Sequence, residues 1–451
     1  MDFWNWIVKT LKDYFGLNNL GNPQGWLNLV FGIITLTMGV LLFYRFIYTI
    51  MGLFGKSRTY EKKPEDYRYC FILSARNEEK VIGNLIDSIH EQTYPQKLID
   101  IIVLADNCSD QTAAVAKAHG ATLVYERHDP SKARKGWALE FLFGELAKKF
   151  DLTKEYNGYV FMDSDNVLAP DFLEKINDPF HLDYDVVSGY RNVKNMKENW
   201  ISAISGLNWH RAVLYSQRPR SMINSAEQIS GTGFVMKSAL LKDGWHFTCL
   251  TEDGEATTRL VAQGKKLGYC EAAAIYDEQP TSLKIALRQR LRWAKGGIVN
   301  FLQNDTRLFV SFFKKPSFSK YDIFWEMFPY ALVSFLAGVI FDILGIVFCF
   351  VYTGPYDWGN FATNKLVNLA VTYASGYLVG WLIIIREWKH IHLNFGEALL
   401  YSFLWPFFDM VGVPIALWSL FVKVSWKPIP HHAIVEGSAL QAEEQAKQKK
   451  K

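Results

Sequence analysis

Gly158-Tyr159-Val160-Phe161-Met162-Asp163-Ser164-Asp165 is a short apolar run that ends in two carboxylates one residue apart. With the helix opener Ala169-Pro170-Asp171 behind it, the run reads as a buried strand that stops at a polar loop. Three further stretches have this form. Tyr69 to Ser74 precedes a helix expected near Glu78, Asp100 to Ala105 one near Asp110, and Ala121 to Glu126 one from Ala133. Strands that alternate with helices predict an α/β domain with a mainly parallel sheet and helices on both faces. Ligands of such sheets sit beyond the carboxyl ends of the strands. Ser74-Ala75-Arg76-Asn77-Glu78, Ala105-Asp106-Asn107 and Asp163-Ser164-Asp165 all fall there, and together they are the expected site.

The bulk numbers conceal a division. The 451 residues are 49% hydrophobic, 15% aromatic and 21% charged, yet several runs carry no charge at all. Trp26 to Tyr44 and Leu366 to Ile385 are charge-free, Met327 to Tyr352 is broken only by Asp342, and Ala398 to Val422 only by Asp409. Runs of this length are expected to lie in a bilayer. The first lacks a basic flank and a small-residue cleavage site, so it reads as a retained anchor. Lys56, Arg58, Lys62 and Lys63 follow it and predict a cytosolic location for what comes next. A net charge of +4 and the absence of a basic-aromatic platform argue against nucleic acid as a partner. The five cysteines show no metal or redox spacing.

Residues 3–15 have the period of an amphipathic helix lying on a membrane. Residues 282–303 do too: at about 100° per residue, Leu283, Leu287, Leu291, Ala294, Ile298 and Phe301 share one stripe. Gln289, Arg292, Trp293 and Gly296 take the opposite face, which offers an amide, a guanidinium and an indole. The segment 398–422 holds Pro406, Asp409 and Pro414 and is followed by a Lys-rich tail. A re-entrant path keeps that tail inside, as the charge rule prefers. The expected division is therefore an N-terminal helix and anchor (1–65), a cytosolic α/β domain (66–281), interfacial helices (282–324), a membrane region (325–425) and a polar, disordered tail (426–451).

With these residues in hand, the chain resembles the membrane-integrated family 2 glycosyltransferases, a group that includes synthases of cellulose, chitin, hyaluronan and poly-N-acetylglucosamine. Ser74-Ala75-Arg76-Asn77-Glu78-Glu79 is similar to the family's first strand-end motif. Ala105-Asp106-Asn107-Cys108-Ser109-Asp110-Gln111-Thr112 is similar to its second, with Ala105 and Asn107 departing from the pattern. Arg134-Lys135-Gly136, Gly231-Thr232-Gly233, Thr251-Glu252-Asp253 and Gln289-Arg290-Leu291-Arg292-Trp293 follow in the family's order. The resemblance implies a GT-A type fold flanked by transmembrane helices. It implies donor contacts at Ala75, Asn77, Glu78, Asp106, Lys135, Asp163 and Arg292, and acceptor contacts at Gly231, Thr232, Gly233, Glu252, Gln289 and Trp293.

The chemistry follows from the residue types. Asp163 and Asp165 offer hard oxygen ligands for Mg²⁺ or Mn²⁺, ions usually shared with substrate phosphates. Arg292 adds a rigid fork to a diphosphate leaving group. Asp253 is the expected base for an acceptor hydroxyl, and attack opposite the leaving group predicts inversion. The expected partners are a nucleotide-sugar (a UDP-sugar first), a saccharide or lipid-linked acceptor, membrane lipids, and a second copy or an export partner. A processive polysaccharide synthase is the leading reading. A glycolipid synthase adding one or a few sugars to a lipid or polyprenyl carrier is the alternative.

Overall fold

The computed structural model describes residues 3–353, 355–424 and 429–449. Its centre is one eight-stranded sheet: β1 (Tyr69–Ala75), β2 (Ile99–Asp106), β3 (Leu123–Arg127), β4 (Gly158–Asp163), β5 (Val167–Leu168), β6 (Val186–Val193), β7 (Phe234–Lys237) and β8 (Leu267–Asp277), in the order β3-β2-β1-β4-β7-β6-β8-β5. The four strands of the first half are parallel. β7 runs antiparallel to both β4 and β6, so the sheet is mixed, with a parallel block joined to a second half. Successive residues of β1 point to opposite faces, as the strand period of two requires. Cys70 and Ile72 meet the helix Lys135–Ala147, through Leu139, Leu142 and Phe143. Phe71 and Leu73 meet the helix Ile82–His90, through Leu85, Ile86 and Ile89. Both faces are covered, which is why the central strands read as unbroken apolar runs.

Register does the positioning. Ser74 stands opposite Asp163 and Ala75 opposite Ala105, so the polar ends of β1, β2 and β4 emerge level with one another. Asn77 and Asn107 follow with φ of 59° and 54°. This left-handed region is one that Asn tolerates better than most residues. The Asn77 side chain accepts from the Ser109 amide at 2.8 Å and ties the first two loops together.

Among the described residues four helices are long and apolar enough to cross a membrane: Pro23–Phe54, Tyr330–Tyr352, Trp358–Glu387 and the broken Phe395–Phe421. The first is held to the sheet domain by buried charge. Asp322 accepts both fork nitrogens of Arg220, at 2.7 and 3.0 Å, together with the Tyr48 hydroxyl at 2.7 Å. Glu326 accepts from Arg45 and Arg220 at 2.6 and 3.0 Å. The break in Phe395–Phe421 is braced by Arg290, which donates to the carbonyls of Phe408 and Asp409.

The tail departs from expectation. Residues 429–436 have no regular secondary structure, and Gly437–Lys449 forms a helix laid against the sheet domain. Leu440 enters a small core with Val167, Tyr190 and Tyr276. Glu444 is buried, accepting from Asn192 at 2.7 Å and facing His390 at 2.8 Å. A composition rich in Gln, Glu, Ala and Lys describes the helix's outer surface and hides these two inward contacts, which is why it read as disordered.

Arg220 and Asp322 supply a test of the membrane-side cluster. Breaking a buried ion pair from one side costs about 3–5 kcal/mol. Asp322→Ala is therefore expected to lower the melting temperature of the detergent-solubilised protein by several degrees. Lys62→Ala, at an ion pair whose lysine is 65% exposed, should leave it unchanged. Equal melting temperatures for the two variants would remove the cluster from the account.

Candidate active site

A cavity of about 460 Å³ opens beyond the carboxyl ends of β1, β2 and β4. Its floor carries Ala75, Glu78, Asp106, Asp163 and Asp165, and its far wall carries Gly231, Glu252, Asp253, Gln289, Arg292 and Trp293. These residues come from six separate stretches of sequence, and the fold brings them to one space. Asn77, Thr232 and Gly233 do not line it. Asn77 braces the loops, and Thr232 lies behind the wall, where its hydroxyl accepts from the Asp163 amide at 3.0 Å. Gly233 has φ +65° and leaves no room for a Cβ, which would stand 2.4 Å from Ile275. Both serve the site as backbone supports rather than as the acceptor contacts expected of them.

Lys135 joins the two ends of the cavity. Its ammonium pairs with Asp163 and donates to the Gly231 carbonyl at 2.7 Å. Burial opposes that charge, and the carboxylates of Asp163, Glu252 and Asp253 outweigh it and hold the lysine above its ordinary value. Asp163 is thus paired with Lys135, while Asp165 lies beside His431. Asp106, expected to touch the nucleotide, is held at 2.5 Å by the buried Arg127.

Glu252 and Asp253 open the helix Glu252–Ala262. Burial pushes both carboxyls up, Glu252 to about 7. The Gly254 amide, Lys135 and Arg292 oppose that rise at Asp253. Gly231 at φ +84° lets the chain pass close by, since a Cβ there would stand 3.3 Å from the Asp253 carboxylate. The helix Leu283–Asn300 closes this side, and its Gly296 lies against Thr251. Trp293 meets Trp209 edge-on at 5.9 Å, and Arg191 stacks over the Trp209 ring at 3.7 Å.

Sequence reasoning missed His431. The tail carries it into the floor of the cavity, where Nδ1 lies 3.0 Å from Glu78 and Nε2 lies 3.6 Å from Asp165. Burial alone would lower its pKa; Asp165 and Glu78 outweigh that and push it up to about 9. Burial raises Glu78 to about 7 against the pull of His431. Glu278 fixes the strap by accepting from the amides of His432 and Ala433 at 2.9 and 3.0 Å, while Lys194 neutralises it at 3.1 Å. The only signal in the sequence was the pair His431-His432 inside an otherwise lysine-rich end.

Among the described residues no three His, Cys, Asp or Glu side chains form a ready metal cage. Asp165 offers a hard carboxylate oxygen to a cation, and His431, 3.6 Å away, faces it as an ion-pair partner. One or two carboxylates are enough where substrate phosphates supply the rest.

Residues 66–296 match the model of the family described as glycosyltransferase like family 2. The β-monoglucosyldiacylglycerol synthase of Trichormus variabilis is 25% identical over 57% of this chain and 55% of that protein. The poly-β-1,6-N-acetyl-D-glucosamine synthase of Staphylococcus epidermidis is 25% identical over 50% of this chain and 54% of its own. The chain thus spans about half the length of these curated relatives. Among solved structures, the mannosyltransferase PcManGT from Pyrobaculum calidifontis, in complex with GDP-Man and Mn²⁺, overlays with a TM-score of 0.51. It is 17% identical and covers 80% of this chain and 97% of that one, a likeness of fold. With more than half of its length inside the family model, this chain belongs to glycosyltransferase family 2.

Proposed function

We infer that the protein transfers a sugar with inversion from a nucleotide-sugar to a growing β-linked polysaccharide, processively, at the cytosolic face of a membrane. One observation carries the reading: Arg292 and Trp293, on a helix packed against the broken apolar segment, share a cavity with Asp163, Asp165 and Asp253. The metal-bound relative in fold and the carboxylates of Asp163 and Asp165 at the cavity floor support a divalent cation, Mg²⁺ or Mn²⁺, here. When bound, such an ion neutralises charge that develops on the diphosphate.

The chain's own groups do the remaining work. Lys135 and Arg292 bring fixed positive charge to the diphosphate side. Asp253, beside Gly231, accepts the proton of the acceptor hydroxyl as that oxygen attacks the sugar from the face opposite the leaving group. Trp293 offers an aromatic surface to the acceptor ring. Transfer of one or a few sugars to a membrane lipid is the second reading. The glucosyldiacylglycerol-synthase relative favours it, as does Met327 in the cavity wall just before the apolar helix Tyr330–Tyr352.

Two contacts support a reading of the membrane topology. Just before Phe395–Phe421, Asn192 holds the His390 carbonyl at 3.1 Å; after it, Lys194 holds the Ala433 carbonyl at 2.6 Å. Both ends rest on the sheet domain, which supports a re-entrant path for this segment and a multi-pass chain whose catalytic domain and tail share one side.

Membranes holding the protein, supplied with Mn²⁺ and UDP- or GDP-linked sugars, are expected to release nucleotide and build a long, lipid-free polymer. Asp253→Asn should cut the rate by about 10²–10⁴-fold. A short product that partitions into organic solvent selects the glycolipid reading, and no transfer from any donor overturns both.

The pH profile tests the base. Asp253 acts when ionised, and burial raises its pKa, so kcat/KM should fall as pH drops through a value above the ordinary carboxylate range. Lys135→Met removes a cation that favours the ionised form. Its acid limb should move to higher pH, and an unmoved limb would exclude Asp253 as the group that titrates.

A further inference from the structure

The membrane side of the cavity carries polar atoms that the donor half of the reaction does not use. Glu227 lies in its wall, 2% exposed, with one carboxyl oxygen that has no hydrogen-bond partner. Ser216 lines the same wall and its hydroxyl is also unpartnered. A helical serine ordinarily bonds back to a carbonyl of the preceding turn. Ser216 instead sits in the π-helical turn Val213–Gln217, which interrupts the path from Trp200–Ala212 to Arg218–Ile223 at the point where Trp209, Ala212, Ser216 and Gln217 line the cavity. Such turns are frequent at functional sites. Buried polar atoms left open in this way call for a ligand or water to complete them.

The charge balance around Glu227 defines what it offers. In the adjoining cluster two guanidinium groups, Arg45 and Arg220, already face two carboxylates, Asp322 and Glu326. Glu227 is a third acid beside a neutral set, and burial pushes it up to about 8. It therefore carries its proton at neutral pH and presents both a donor and an acceptor. An acid with one open oxygen, an unpartnered hydroxyl and the half-buried indole of Trp209 together suit a polyhydroxylated ring. They are a poor lining for hydrocarbon, since a hydrocarbon would leave both polar groups unsatisfied, at about 1–3 kcal/mol each.

We propose that Trp209, Ser216 and Glu227 form an acceptor subsite for a pyranose ring, and that Glu227 sets specificity for a saccharide over a lipid alcohol. The proposal rests on the glycosyl-transfer reading and deepens it by naming the acceptor.

The test uses the full chain in detergent with UDP and Mn²⁺ present, and measures binding of cellotetraose, chitotetraose and dioctanoylglycerol by saturation-transfer NMR and calorimetry. The wild type is expected to bind a tetrasaccharide. Glu227→Leu should weaken it by about tenfold, the equivalent of one hydrogen bond of about 1.4 kcal/mol. Glu227→Gln, which keeps a donor and an acceptor, should restore it to within about threefold, and UDP affinity should be the same in all three. Ser216→Ala, a change of one hydroxyl, should weaken the tetrasaccharide and serves as the readout if Glu227→Leu does not fold. Tetrasaccharide binding indifferent to Glu227 and Ser216, preference for dioctanoylglycerol, or no binding of any acceptor would each overturn the proposal. Failure of the wild type to bind UDP with Mn²⁺ would instead count against the glycosyl-transfer reading.

Discussion

The ammonium of Lys135 is buried between the Asp163 carboxylate and the Gly231 carbonyl, and the rest of the site is arranged around that bond. It fixes the end of β4 against the loop that faces Asp253, so the floor and the far wall keep a set distance. A charge held there is stable only because three carboxylates outweigh its desolvation. The same charge keeps Asp253 closer to its ionised form than burial alone would allow. Donor side and acceptor side are thus electrostatically coupled, and neither can be altered without moving the other.

A second group of buried charges sets where this site stands relative to the bilayer. Arg220 and Arg45 meet Asp322 and Glu326 at the junction of the first apolar helix, the sheet domain and the helix Phe318–Met327. Buried pairs of this kind stabilise little compared with apolar packing, but removing one member is costly. They act as a specificity device, since the ion pairs form only when the helix docks in this position. Gly52 adds a steric condition, because a Cβ there would lie 1.7 Å from the Leu214 carbonyl. The cavity consequently ends against the membrane-side cluster, which is how Glu227 comes to face it.

The sheet domain was legible because its signals are local. Apolar runs of strand length, helix openers and polar strand ends each act within a few residues, and the parallel register then brings Ser74, Ala105 and Asp163 level without further information. The helix carrying Gln289, Arg292 and Trp293 was legible for the same reason, since its period separates the two faces. What could not be read was any contact made across long separations. Thr232 and Gly233 read as acceptor residues, yet one supports Asp163 from behind and the other is fixed by Ile275. Glu227 and Ser216 belong to no motif. Their importance lies in partners they lack, which only the folded chain reveals.

The tail is the extreme case. Its composition meets the usual description of a disordered segment, yet three acids and an arrangement of histidines hold it down. Burial alone would raise Glu444, but His390 and His392 draw it down to about 2. A helix with little apolar surface thus docks through Leu440, the buried Glu444 and flanking polar contacts from Gln441, Glu443 and Lys447. Glu278 then aligns the preceding segment through two backbone amides, and that alignment delivers His431 between Glu78 and Asp165. The floor of the cavity is therefore built from both ends of the chain. His431 thus places a positive charge beside Glu78 and Asp165 that no motif in the sheet domain supplies.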